Sequence, residues 1–242
     1  MSQLKYIVLL LFLTTLPGIA STQCIILNKG VPGHNSRDLL QRVEQDVLAE
    51  QPDLVIMMVG TNDMVNSHKL VDYEEYKENY LTLIRKIKAR GAELILLAPP
   101  PVDTGYVLGR HDRRLYSEDL NVKLEKAGTI VRALAEENKL HFIDLNTIFK
   151  ATGSPNREEH SLLINEKNLG KPDGIHPTKE GYELMAETIY TYLQEKKLLK
   201  GKKKLVCFGD SMTYGSYMAG AGTAQGNTYP ALLSSMINRG QP

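Results

Sequence analysis

The apolar positions of this chain follow two alternating patterns. Short continuous runs occupy residues 24–27, 54–59, 94–98, 140–145 and 205–208, and read as strands buried in a sheet. Between them, apolar residues recur at helical spacing. Leu39, Leu40, Val43, Val47 and Leu48 share one face of a helix that Asn35 or Ser36 caps and Pro52 stops. Residues 73–90 form the next expected helix, closed by Gly91, and residues 117–138 a third, with a capping-box-like start at Ser117. Tyr182, Met185, Ile189 and Leu193 mark a fourth behind Thr178, and a short last helix is expected over residues 229–237. Strand and helix alternate throughout, which predicts a single α/β domain with a parallel sheet and helices on both faces. The connections at 102–116 and 146–172 are polar or long. Arg110, Arg113 and Arg114 in the first are expected to line a rim. The run Lys202-Lys203-Lys204 reads as a solvated linker.

Composition adds limits. The chain has 242 residues, 42% of them hydrophobic, enough for one real core. A net charge of +1 gives no reason to expect a nucleic-acid partner. Cys24 and Cys207 are expected to be two buried thiols rather than a bridge. The N-terminus stands apart. Lys5 precedes an almost wholly apolar run over residues 6–16, and Gly18 and Ala20 fit the −3 and −1 positions of a signal-peptidase site. Residues 1–20 are therefore expected to be a signal peptide, or a membrane anchor if retained. That predicts a secreted, periplasmic or cell-surface protein, with membrane association through this segment in the second case. Residues 21–242 are expected to form the domain.

The chemistry-bearing residues fall at the ends of expected strands, where ligands bind in open parallel α/β sheets. Gly209-Asp210-Ser211 follows the last strand. Asp173 and His176 lie three residues apart beside a helix start, so the carboxylate can accept the His176 Nδ1 proton and leave Nε2 for a serine. Gly33 allows a backbone N–H to approach a substrate oxygen, Asn62 offers a side-chain amide, and the Ser211 N–H would be a third donor. Singly these are ordinary features: a turn, a loop cap, a surface pair. Their joint placement points to a serine esterase acting on a small-molecule ester. No metal-ligand spacing and no phosphate-binding glycine loop is present in context, so no metal or cofactor is expected. His34 and His68 follow block residues and read as ordinary loop histidines.

Gly209-Asp210-Ser211, Gly33 in Val-Pro-Gly-His-Asn-Ser, Gly60-Thr61-Asn62-Asp63 and Asp173-Gly174-Ile175-His176-Pro177 together resemble the four sequence blocks of the SGNH hydrolases, also called GDSL esterases/lipases. The resemblance spans nearly all the chain after the leader. It implies a flavodoxin-like three-layer α/β/α fold with a parallel five-stranded sheet, and ester hydrolysis through an acyl-enzyme. By motif, Ser211 is the nucleophile, His176 the base and Asp173 its partner. Gly33, Asn62 and the Ser211 N–H form the oxyanion hole. The substrates it suggests are short acyl esters, lysophospholipids or acetylated sugars. In the family the serine block comes first; here it comes last. That implies a circular permutation, with residues 198–204 joining the old last helix to the old first strand. The competing reading is a non-catalytic ligand-binding module on the same fold.

Overall fold

The computed structural model describes residues 23–239, and the expected leader lies outside the described residues. The elements follow in the order β1 (Ile25–Gly30), α1 (Ser36–Asp46), β2 (Leu54–Met58), α2 (Thr61–Val65), α3 (Tyr73–Lys88), β3 (Glu93–Ala98), α4 (Thr104–Leu108), α5 (Leu120–Glu137), β4 (His141–Asp144), α6 (Leu145–Ala151), α7 (Glu166–Leu169), α8 (Lys179–Glu195), β5 (Lys204–Gly209), α9 (Ser211–Tyr214) and α10 (Tyr229–Arg239). The five strands form one sheet in the order β1-β5-β2-β3-β4, all parallel. The last strand in the chain therefore lies between the first two.

The continuous apolar runs are explained by two cores, one on each sheet face. Val55, Met57, Leu94, Leu96, Val206 and Phe208 face α1, α3 and α5. Leu54, Ile56, Ile95, Leu97, Leu205 and Cys207 face α8 and α10. Alternate residues of one strand thus feed opposite cores, and β2 is buried along its whole length. No helix among the described residues is long and apolar enough to cross a membrane. Cys24 and Cys207 are free and buried.

Several boundaries differ from the expected ones. β1 runs on to Gly30, because pairing with β5 continues through Asn28, Lys29 and Gly30 although their side chains are polar or absent. The first helix ends at Asp46, before Pro52. Val47 instead caps its end, and Leu48 opens a 3₁₀ turn that Gln51 closes in the left-handed region. The third helix starts at Leu120, not Ser117, since the Asp119 side chain caps it. The expected linker is partly structured: Lys204 opens β5, and the Lys203 and Lys204 N–H groups both donate to Asp53 Oδ2. Lys202 and Lys204 pair with Glu93 and Glu50, so this lysine run is held against the domain.

Candidate active site

The site gathers at the carboxyl ends of β1, β2 and β5, with one long loop supplying the remaining groups. β5 ends at Gly209. Asp210 then turns the chain, its carboxylate accepting from the Met212 N–H (3.0 Å), so that Ser211 opens the short α9. The turn leaves Ser211 half-buried at the edge of a cleft of about 520 Å³. Its N–H makes no hydrogen bond among the described residues, and neither does that of Gly33.

Asp173 and His176 reach Ser211 from the connection before α8. His176 Nε2 lies 2.9 Å from Ser211 Oγ. On its other side, His176 Nδ1 lies 3.0 Å from each Asp173 carboxylate oxygen. A carboxylate there takes the Nδ1 proton, which leaves the Nε2 lone pair to accept the serine O–H. Asp173 Oδ2 also accepts the backbone N–H groups of Ile175 (3.0 Å) and His176 (2.7 Å). Burial works to raise the Asp173 carboxyl. The hydrogen bonds and charge of His176, with these two backbone donors, outweigh it and hold the group below the usual carboxylate range.

The loop carrying this pair is pinned from several sides. Arg110 donates to the Pro172 and Asp173 carbonyls (2.5 and 2.6 Å). Asp103 N–H donates to Gly174 O (2.8 Å), and Leu163 bridges Pro177. Gly174 has φ +69° and a Cβ there would fall 2.7 Å from Asp103 Cβ, so both conformation and space require glycine.

Asn62 is the second residue of α2, a helix turn with no apolar period in its sequence. One of its amide protons is donated to the His34 carbonyl (3.0 Å), while its Oδ1 accepts from Asn66 Nδ2 (3.0 Å). These bonds leave the second amide proton for a ligand. Gly33 has φ +77°, yet a Cβ there would meet nothing within 4 Å. Within the protein, glycine is thus required at position 33 by backbone conformation and not by a neighbouring atom.

Of the three expected rim arginines, only Arg110 lines the cleft. Arg113 faces a separate small pocket and Arg114 pairs with Asp112. His68 is exposed, as a loop histidine would be. His34 is more than a free loop histidine, because its ring Nδ1 accepts from Arg42 Nε (3.0 Å). Tyr217 was missed altogether. It is 52% exposed, holds φ +69°, and sets its ring edge-on to His176 at 5.3 Å between centroids. The only sequence signal is its place in the glycine-rich loop that follows Ser211.

Behind the site lie two buried carboxyls. Burial pushes Asp63 up to about 7 and Asp210 up to about 6, and the charge of Asp210 adds to the rise at Asp63. Among the described residues no group of three His, Cys, Asp or Glu is placed to hold a metal ion.

The sequence profile of the GDSL-like lipase/acylhydrolase family matches residues 20–184. The match includes Gly33, Asn62, Asp173 and His176 and stops before Ser211. An acetylxylan esterase of Geobacillus stearothermophilus is 29% identical over 168 residues, covering 66% of this chain and 68% of that protein. An uncharacterised lipoprotein of Bacillus subtilis (strain 168) is 24% identical over 188 residues, covering 72% and 74%. Among solved structures, a lipase/acylhydrolase from Enterococcus faecalis matches with a TM-score of 0.54 at 24% identity, over 68% of this chain and 73% of the other.

Proposed function

The chain belongs to the GDSL-like lipase/acylhydrolase family, and we propose that it is a serine esterase that works through an acyl-enzyme at Ser211. The observation that carries this is the continuous line Ser211 Oγ to His176 Nε2 (2.9 Å) and His176 Nδ1 to Asp173 (3.0 Å). Ser211 Oγ attacks the ester carbonyl carbon while His176 Nε2 takes its proton. Asp173 stays ionised, keeps the ring in the right tautomer and stabilises the imidazolium. The carbonyl oxygen becomes an oxyanion facing the Ser211 and Gly33 N–H groups and the Asn62 amide. The intermediate collapses, the C–O bond breaks, and the alcohol leaves with the proton from His176. Water, deprotonated by His176, attacks the acyl-enzyme by the same route and releases the acid and Ser211.

The substrate we infer is a short acyl group on a hydroxyl-rich alcohol, of the acetylated-sugar type. Two things support it: the acetylxylan esterase among the relatives, and a cleft lined by Asn66, Arg110 and His111 beside Val65 and Ile175. Polar donors suit the hydroxyls of the alcohol, and the small apolar part suits a short acyl chain. The test is hydrolysis of p-nitrophenyl esters from two to about twelve acyl carbons and of acetylated xylo-oligosaccharides. Each buried methylene is worth ~0.8 kcal/mol, so the chain-length profile sizes the acyl pocket. Activity that Ser211→Ala abolishes supports the reading. A folded wild type that turns over no ester, or whose Ser211 does not react with a fluorophosphonate, overturns it in favour of a binding module.

We also propose that the chain order is a circular permutation of the family's. Three observations support this. The strand leading to Ser211 is last in sequence but sits between β1 and β2. The family profile stops at residue 184, before that strand. Asn238 of α10 is bonded to Cys24 at the head of β1, so a short join there would restore a serine-first order. A chain opened within residues 198–204 and joined from 239 to 23 by a short glycine linker should fold and keep its kcat. Failure to fold counts against the proposal. Export through residues 1–20 belongs to the same reading, and N-terminal sequencing of the secreted protein tests it.

A further inference from the structure

Arg42 sits outside the cleft, on α1, with its guanidinium 4.6 Å over the Phe208 ring. It spends its donors on several separate pieces of the site. Nη1 donates to the Lys29 carbonyl (2.9 Å), at the end of β1, and to Asp46 (2.7 Å). Nη2 donates to the Gly209 carbonyl (2.6 Å), two residues before Ser211. Nε donates to Nδ1 of the His34 ring (3.0 Å). His34 in turn follows Gly33, its N–H donates to Val31 O (3.3 Å), and its carbonyl accepts the Asn62 amide (3.0 Å). One arginine and one histidine therefore join the β1 end, the β5 end and Asn62, which carry the three donors assigned above to the oxyanion.

We propose that Arg42 and His34 are a positioning pair that holds the three oxyanion donors in register. The inference rests on the esterase reading of the same site. An Nε–H donor requires His34 Nδ1 as acceptor, so the ring is neutral with its proton on Nε2. Neither residue touches the reacting atoms. They act through backbone carbonyls, and their loss would let the Gly33 loop and the Asn62 amide drift by fractions of an ångström. Oxyanion donors are sensitive to such shifts because they bind the transition state more tightly than the ground state. The expected signature is a fall in kcat with little change in KM.

The experiment compares wild type with His34→Phe and His34→Asn, with kcat normalised to sites counted by exhaustive fluorophosphonate labelling of Ser211. Phenylalanine keeps the ring and offers no acceptor. Asparagine offers a carbonyl oxygen to Arg42 Nε and tests rescue. His34→Phe should lower kcat by roughly 10- to 100-fold, less than the ~10²–10³-fold cost of removing an oxyanion donor outright because the donors are displaced and not deleted, with KM within about twofold. His34→Asn should recover most of that loss. Arg42→Gln, which fits the space less well, should behave like His34→Phe per labelled site. An active wild type whose His34→Phe variant keeps its kcat per site overturns the pairing alone. So does a loss that His34→Asn fails to rescue, or one shared by KM. A wild type that neither labels nor hydrolyses any ester overturns the esterase reading, and this inference with it.

Discussion

Asn238 grips the backbone of Cys24 from both sides: its Oδ1 accepts the Cys24 N–H at 2.8 Å and its Nδ2 donates to the Cys24 carbonyl at 3.0 Å. The two residues are 214 positions apart, and the contact ties the last described helix to the head of the edge strand β1. Replacing Asn238 by leucine removes two hydrogen bonds from a partly buried backbone. Denaturant unfolding should show a loss of about 1–3 kcal/mol. Esterase activity per labelled Ser211 should be unchanged, since the contact is at the far end of β1 from the cleft.

Asp63 accepts the Ser36 N–H (3.0 and 3.2 Å) in a fully buried site, while Asn79 holds the Ser36 hydroxyl (2.9 Å). Its folded pKa, about 7, is raised above the ~3.9 of an unfolded aspartate by burial first. The native state therefore holds this proton more tightly than the unfolded chain. The resulting stability is complete below about pH 4 and is lost as pH rises through 7. Asparagine can accept the same Ser36 N–H without the charge. Asp63→Asn should be more stable than wild type at pH 8, on the order of 1–3 kcal/mol, and the difference should vanish near pH 4. Urea titrations across that range decide it.

Asn62→Ala removes one proposed oxyanion donor but leaves the Ser211–His176–Asp173 line untouched. The expected loss in kcat is about 10²–10³-fold with KM little changed. Steady-state kinetics on a p-nitrophenyl acetate substrate would measure it. Equal kcat in the variant would remove Asn62 from the oxyanion hole.

Tyr217 holds a left-handed backbone beside His176, with Lys171 over its ring at 5.3 Å. Such conformations cost a non-glycine residue roughly 1–2 kcal/mol and cluster where function maintains them. Tyr217→Gly should stabilise the fold by up to about 1 kcal/mol while raising KM, because the aromatic wall of the cleft is gone. Thermal unfolding and KM measured on the same preparation test the trade. An unchanged KM would leave Tyr217 without a role in binding.

The blocks around Ser211, Asn62, Gly33 and the Asp173–His176 pair were legible because each combines a residue type with a strand end, both of which are local. Tyr217 and Arg42 were not. An aromatic residue in a glycine-rich loop and an arginine on an amphipathic helix have no local feature that sets them apart from solvent-facing residues. Element ends were misread where a side chain overrode periodicity. Asp119 caps α5 two residues beyond the capping-like Ser117, and sheet pairing carried β1 through its polar tail to Gly30. The short α2 was hidden because its residues have no apolar period.

By itself the sequence determined the alternation of strand and helix, the burial of the strands on both faces and the residue types available at their ends. Those follow from hydrophobic spacing and from chemistry carried by single residues. The tertiary structure alone decided that β5 lies between β1 and β2, which brings Ser211 beside Gly33 and Asn62 and opposite His176. It alone routed Arg42 through His34 to the same place. These arrangements join residues far apart in the chain, and which partner each surface meets is settled by packing the whole sheet between its two cores.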